Sequence, residues 1–274
     1  MPELPEVEVL RRSLEGSVIG DRIDRVAVWN GALREPVDGR RLARRVRGRR
    51  IERLRRRAKY LLIDLEGGST LVIHLGMSGR LTVVPAGTGR EPHEHLGLFL
   101  DSDRRLRFRD PRRFGLAFAL PSGALAADRH FAHLGVEPLG EEFSGALLAE
   151  LARGRRAPVK AFLLDARNVV GVGNIYATEA LHQAGIHPRR SVARISRERW
   201  DRLAVAVREV LERAIRQGGT TLNDFTDGQG NSGYFQVSLA VYGREGEPCP
   251  RCGAAIRRIV QSGRSTFYCP RCQR

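Results

Sequence analysis

Apolar side chains recur at Val7, Leu10 and Leu14 with Arg11 and Arg12 between them. That period predicts an amphipathic helix over 5–16, opened by Pro5 and stopped by Gly16. From residue 22 to about 120 the pattern shortens to β-rich runs at 23–29, 59–65, 70–75, 80–84, 95–100, 106–109 and 115–120, divided by turn signals such as Gly67, Gly68 and the 101–103 stretch. Many short strands at such spacing predict an antiparallel sandwich or barrel. Beyond Pro138 the texture turns helical, over 144–153, 158–166, 175–184 and 196–217, and in the last of these Leu203, Val207, Val210, Leu211 and Ala214 form one stripe. The change of period puts a domain boundary near residue 135, and no internal repeat is apparent.

The 274 residues suffice for two domains or for one with an appendage, and 42% hydrophobic content fits a packed, enzyme-sized fold. No apolar run approaches the ~18 residues that span a bilayer, and the acidic, proline-bearing start is unlike a signal peptide, so a cytoplasmic protein without membrane association is expected. A formal net charge of +16 and a pI of about 11.1 point to a polyanionic partner, nucleic acid first, with a basic ribosomal or membrane-surface protein as the alternative. Of 47 basic side chains only Lys59 and Lys160 are lysine. Guanidinium keeps its proton at working pH and ammonium can release it, which marks these two for chemistry or positioning, codon usage being the other explanation. The densest basic stretch, 40–57, holds 11 arginines in 18 residues. Its alternation with Val46, Ile51 and Leu54, leading into Tyr60, Leu61, Leu62 and Ile63, reads as basic strand surface.

Removal of Met1 would leave Pro2 as the amino terminus, followed at once by Glu3. An α-amino group, with a reference pKa of about 7.7 to 8.0 against about 10.4 for lysine, is far more often neutral and nucleophilic at pH 7. A secondary amine meeting a ribose C1′ forms a charged iminium, an electron sink that activates the neighbouring carbon for elimination. The alternative is structural: Pro2 and Pro5 set a first helical turn whose glutamates complement its dipole. Cys249, Cys252, Cys269 and Cys272 are spaced C-x2-C-x16-C-x2-C, the pattern of two thiolate knuckles joined by a hairpin and closed on one structural zinc, against which two disulfides do not suit a cytoplasmic protein. The hairpin would carry Arg257, Arg258, Arg264, Phe267 and Tyr268, a basic ribbon able to enter a groove. In 167–173, Gly171 and Gly173 permit a tight turn with Asn174 at the N-cap, so that free N–H groups face phosphate. Two loops, 76–79 with Met77 and 110–115 with Arg112 and Phe114, offer apolar wedges and an arginine for a duplex vacated by a flipped base, unless Met77 and Phe114 fold back into the core. The polar, glycine-rich 218–234 stretch reads as a lid or as a plain surface loop.

Together the opening PELPE, RRAKYLL around Lys59, HLGMSG around Met77, DPRRFG around Arg112, VGVGNIYA around Asn174, GGTTL at Gly218 and the cysteine set with Arg264 resemble the bacterial formamidopyrimidine-DNA glycosylases over nearly the whole chain. Leu4 separates it from the endonuclease VIII group, which prefers oxidised pyrimidines and usually has glycine there. Arg155 and Arg156 stand where relatives often carry lysine, a change of little consequence for phosphate contact. The resemblance implies an α+β multidomain fold: an N-terminal antiparallel β-sandwich with flanking helix (1–135), a helical domain with helix-two-turn-helix and lesion-covering loop (136–235), and a β-hairpin zinc ribbon (236–274). It implies base-excision repair of damaged double-stranded DNA by a cytoplasmic monomer with one structural zinc and no organic cofactor, through excision of oxidised purines and β,δ-elimination. Pro2 would attack C1′, Glu3 protonate the opening sugar, Lys59 serve the first elimination and Arg264 the second, with Glu6 in support. Met77, Arg112 and Phe114 would fill the gap, Arg112 facing the orphaned cytosine, while His74, His93, Arg155, Arg156, Lys160 and Asn174 touch DNA and 220–234 covers the purine. The rival readings are a pyrimidine-selective glycosylase and a non-catalytic zinc-ribbon DNA-binding protein.

Overall fold

The N-terminal helix forms where expected, anchored by its inward stripe. In the computed structural model, which describes residues 2–220, 228 and 239–274, α1 runs over Leu4–Val18 and buries Leu4, Val7, Leu10, Leu14 and Val18. Contacts group the described residues into two compact units, 2–132 with 217–220 and 228, and 133–216 with 239–274.

In the first unit β1 (Ile23–Val28) is followed by α2 (Gly39–Val46) and then by β2 (Ile51–Arg57), β3 (Tyr60–Leu65), β4 (Ser69–His74), β5 (Arg80–Pro85), β6 (Glu94–Leu100), β7 (Arg104–Arg109) and β8 (Leu116–Pro121). The strands build two four-stranded antiparallel sheets, ordered β1-β6-β7-β5 and β2-β3-β4-β8. Their facing leucines, isoleucines and Phe108 form one core with the inner side of both helices, the sandwich expected from the strand spacing. α1 lies against β2, β3 and β5, so it covers one open edge of the sandwich, while α2 lies against β1 and β8 and covers the other. Arg56 reaches Glu8 at 3.3 Å and Arg11 reaches the Leu54 carbonyl at 3.5 Å, which runs α1 antiparallel to β2 and brings its N-terminus to the β2–β3 turn.

The basic run 40–57 is not strand throughout, as its alternation suggested. Asp38 accepts a hydrogen bond from the Arg41 N–H at 2.9 Å, and Leu42 and Val46, four residues apart, are buried, so residues 39–46 close as a helix before β2 begins.

The second unit contains α3 (Gly145–Leu151), α4 (Val159–Leu164), α5 (Asn174–Gln183) and α6 (Arg197–Arg216), then a hairpin of β9 (Arg257–Gln261) and β10 (Arg264–Tyr268). The α6 stripe is buried as its period predicts, with Leu203, Val207, Val210, Leu211 and Ala214 all inside. Glu179, 6% exposed on α5, accepts the backbone N–H groups of Ala240, Val241 and Tyr242 at 2.8, 3.0 and 2.8 Å and so fixes the approach to the zinc-ribbon segment. Burial pushes its carboxyl up, and the three N–H donors oppose that rise.

Candidate active site and nucleic-acid interface

At the N-terminus of α1, Pro2, Glu3 and Glu6 are all buried, although two of them are acids. Glu6 justifies its burial with two main-chain donors: Oε2 accepts the Glu3 N–H at 2.7 Å and Oε1 the Thr220 N–H at 2.8 Å. One carboxylate thus ties the helix start to the residue that leads into the expected lid. Of that stretch, 221–227 and 229–234 lie outside the described residues; Gly228 donates to Ser13 Oγ at 2.9 Å and its carbonyl accepts from Val83.

Lys59 occupies the same end of the sandwich. It and Ala58 are the two residues between the paired Arg57 and Tyr60, and Ala58 takes a left-handed φ of 53°. A non-glycine residue there costs on the order of 1 kcal/mol, strain that the flanking strands hold in place. His74 pairs with Tyr60 across the ladder. Burial, then the charges of Lys59, Arg34 and His130, lower its pKa to about 4. Its Nδ1 accepts the Gly76 N–H at 2.9 Å, so the proton sits on Nε2 and the neutral ring is a donor suited to a phosphate oxygen.

A consequence can be measured. Because the folded value lies below the ordinary 6.5, stability is lost as pH falls from about 6.5 toward 4, by up to about 3 kcal/mol. Nitrogen-detected NMR should find His74 as the Nε2–H tautomer with a midpoint near 4. A midpoint at the ordinary histidine value would contradict this environment.

The two wedge loops are stitched to each other by a residue that the sequence reading passed over. Asp110, 0% exposed, accepts from Ser78 Oγ at 2.6 Å and from the Gly115 N–H at 2.7 Å, while Ser78 Oγ accepts the Arg112 N–H at 3.2 Å. Gly76 has φ 62°, and a Cβ there would stand 2.5 Å from the Gly115 nitrogen, so only glycine lets the loops approach. The result presents Met77 at 38% and Phe114 at 45% exposure, with the Arg112 guanidinium 5.2 Å from the Phe114 ring centre. These apolar tips do not fold back into the core. His93 is also exposed, in a left-handed conformation with φ 65°. The chain before it is fastened from the sheet: Arg105, Arg107 and Arg109 donate to the carbonyls of Thr88, Gly89 and Pro92 at 3.1, 2.6 and 2.8 Å, and unexposed Glu94 lies 3.3 Å from both Arg105 and Arg107.

In the second unit Asn174 is not the N-cap; Gly173 is, and Asn174 is the first helical residue. Its side chain looks instead to the hairpin, with Oδ1 accepting from Lys160 Nζ at 2.6 Å and Nδ2 donating to the Ser265 carbonyl at 3.0 Å. Lys160 is 1% exposed and also donates to Thr266 Oγ1 at 2.7 Å, which makes it a bolt between α4, α5 and β10. Arg264 is exposed at the start of β10 beside the Ser262–Gly263 turn; Arg155 and Arg156 are exposed too, and Arg155 donates to Asn168 Oδ1 at 2.8 Å.

The four cysteines are unbridged and their Sγ atoms all lie within 4.8 Å of one another. Cys252–Cys269 at 3.4 Å and Cys249–Cys272 at 4.0 Å bracket the ~3.8 Å edge of a tetrahedron with zinc–sulfur bonds of about 2.3 Å. A hydrogen bond from Ala254 lowers Cys252 to about 7, whereas burial and the neighbouring sulfurs push Cys272 up to about 12. Four thiolates at this separation repel one another until a cation gathers them, and the donor set fits one structural zinc.

Against this geometry the family models match in three consecutive pieces: the formamidopyrimidine-DNA glycosylase N-terminal domain over residues 1–117, the formamidopyrimidine-DNA glycosylase H2TH domain over 134–226, and the zinc finger found in FPG and IleRS over 246–274. The chain belongs to the formamidopyrimidine-DNA glycosylase family. It is 53% identical to the formamidopyrimidine-DNA glycosylase of Acidithiobacillus ferrooxidans over 276 residues and 53% identical to that of Halorhodospira halophila over 274, covering 100% of each chain in both cases. Among solved structures it is similar to Lactococcus lactis Fpg in complex with DNA containing an abasic site, at TM-score 0.92 and 33% identity with 99% of each chain covered. It is likewise similar to the MutM (FPG) protein from Thermus thermophilus, at TM-score 0.87 and 42% identity over 99% of this chain and 98% of that one. Among the described residues no helix is long and apolar enough to cross a membrane.

Proposed function

We propose that this chain is a base-excision repair enzyme, a bifunctional DNA glycosylase that removes oxidised purines from double-stranded DNA and then cuts the strand, working as a monomer in the cytoplasm. The observation that carries the reading is a proline and an acid buried together at a helix start, at the sandwich end that also holds Lys59 and the two wedge loops. After loss of Met1, the Pro2 nitrogen attacks C1′ of the flipped nucleotide, the glycosidic C–N bond breaks, and the base leaves with a proton. Glu3 gives its proton to the ring oxygen as the sugar opens to an iminium. The iminium draws electrons from C2′; loss of a C2′ proton expels the 3′ phosphate, with Lys59 as proton carrier, and a second elimination on the other side is assigned to Arg264. Met77, Arg112 and Phe114 fill the vacated stack, with Arg112 toward the unpaired cytosine. His74 and His93 from one unit, and Arg155, Arg156 and Asn174 from the other, supply backbone contacts, and Lys160 acts by holding Asn174 and β10. The parts divide as 1–135, 136–235 and 236–274.

Borohydride trapping on an abasic duplex tests the reading: one covalent adduct per chain is expected, and a protein that binds the duplex yet forms none is a zinc-ribbon DNA-binding protein instead. Release of oxidised pyrimidines in preference to 8-oxoguanine from defined duplexes would move it to the endonuclease VIII type.

The arginine bias supplies a sharper probe. If Lys59 were only a charge, Lys59→Arg would be silent in a chain whose other basic residues, Lys160 apart, are arginine. A guanidinium with a pKa above about 12 is a poor proton carrier, so elimination should slow by about 10²-fold with duplex affinity largely kept. Single-turnover nicking at the wild-type rate would remove Lys59 from the chemistry.

A further inference from the structure

The arginines of α2 and of the turn that follows it serve nothing described so far. Arg40, Arg41, Arg44, Arg47 and Arg50 are exposed and Arg45 is half-buried, while Leu42 and Val46 use the apolar side of the helix against the sandwich. Among the described residues none of Arg40, Arg41, Arg44, Arg45 and Arg47 forms an ion pair, although Arg47 donates to the Asp24 carbonyl at 3.1 Å, and three of the acids nearby are engaged: Asp38 caps α2, Glu35 pairs with Arg129 and His130, and Glu66 pairs with Arg22 at 3.6 Å.

Within the chain this arrangement is unfavourable. Arg40 and Arg41 sit in the first turn, at the positive end of the helix dipole, and Arg40–Arg44 and Arg41–Arg45 are like-charged neighbours four residues apart. Such placements are unfavourable, and the single charge of Asp38, felt by Arg41 and Arg44, opposes the repulsion only in part. An external polyanion offsets it.

The face is also remote from the lesion site. α2 covers the β1/β8 edge and α1, with Pro2 and Glu3, the β5/β2 edge. Arg50 precedes one end of β2 and Lys59 follows the other, about 20 Å away at about 3.3 Å per residue over the seven residues Ile51–Arg57.

We propose that α2 and the Arg47–Arg50 segment form a second DNA-binding surface, which holds the phosphate backbone of a separate, lesion-free duplex while the catalytic end holds its own. The partner follows from the chemistry. Guanidinium suits phosphate, and along the ~12 Å of an eight-residue helix a duplex carries about seven charges, comparable to the guanidinia offered. A membrane surface would need apolar residues on the outward face, and Leu42 and Val46 point into the core. Single-stranded nucleic acid would need aromatic platforms, and α2 has none. The surface lets the enzyme pass from one duplex segment to another without full release.

The inference rests on the proposed DNA-repair reading, and the test separates the two. Wild-type protein saturated with a short duplex bearing a stable abasic analogue is titrated with a fluorescent, lesion-free duplex at low salt. A ternary complex is expected. Replacing Arg40, Arg41, Arg44 and Arg45 together by alanine, a better helix former, should weaken capture of the second duplex at least tenfold and lower its salt slope by up to about 3.6, with single-turnover excision from the short duplex unchanged. Lysine at the four positions should retain capture, and glutamine should reproduce the alanine result if the alanine variant folds poorly. No ternary complex with wild type, capture by the alanine and glutamine variants equal to that of wild type, or preference of this face for anionic vesicles or single strands over duplex would each overturn the proposal. Failure of wild type to excise any lesion would instead sink the functional reading and leave the capture result standing by itself.

Discussion

A chain that keeps Met1 releases no damaged base. With methionine in place the Pro2 nitrogen is a tertiary amide that has no lone pair to give, and no other residue can inherit its position, because Pro2 and Glu3 are buried at the start of a helix clamped by Glu6. Excision and borohydride trapping should therefore fall to the level of a no-enzyme control. Duplex binding should survive, since the exposed wedges Met77, Arg112 and Phe114 and the arginines of the second unit are untouched. The measurement is single-turnover excision by protein whose first residue has been read by mass spectrometry. Normal excision by chains that all retain Met1 would end the assignment of Pro2 as nucleophile.

Removal of zinc is expected to have the second largest effect. Among the described residues the zinc-ribbon segment buries Val241, Cys249, Ile256, Phe267 and Cys269, with Tyr242, Cys252, Ala254 and Cys272 packed against them, too few apolar residues to fold by burial alone. Without the metal, β10 loses its frame, and with it go the Lys160–Thr266 and Asn174–Ser265 hydrogen bonds and the fixed direction of Arg264. Chelation, or Cys269→Ser, should weaken duplex binding by at least about 1.4 kcal/mol, tenfold, and abolish the second elimination. Amides of 257–268 should lose protection against hydrogen exchange while those of the sandwich keep it. Elemental analysis should return one zinc per chain, and a metal-free protein with unchanged affinity and strand scission would contradict the claim.

Glu179, by contrast, is invisible to any motif, and its place in the architecture is as informative as the cysteines'. A lone glutamate in an apolar helical stretch looks like an ordinary surface residue; only the fold shows it receiving three main-chain N–H groups from 240–242. Asp110 is similar. It sits inside DPRRFG, where Arg112 and Phe114 draw attention, yet it is the buried carboxylate that joins two loops thirty-odd residues apart in sequence.

What the sequence by itself determined is everything that a local period or spacing can encode: α1 and α6 from their stripes, the antiparallel sandwich from short runs at regular intervals, the zinc site from two C-x2-C knuckles, and the family from motifs spread along the chain. Those features are legible because burial on one face repeats with the backbone's own geometry, and because metal ligands must be close in sequence to form a knuckle. Tertiary structure alone decided that 39–46 is a helix inside a basic run, that Asn174 faces Lys160 and Ser265 instead of capping α5, that Lys160 is a buried bolt, and that His74 is held neutral. Each of these depends on a partner brought from elsewhere in the chain. Alternation of arginine with valine and isoleucine is compatible with strand and helix alike until the Asp38 cap and the surface under Leu42 choose between them. A side chain's protonation or hydrogen-bond direction is set by desolvation and neighbouring charge, quantities that exist only once the chain has folded.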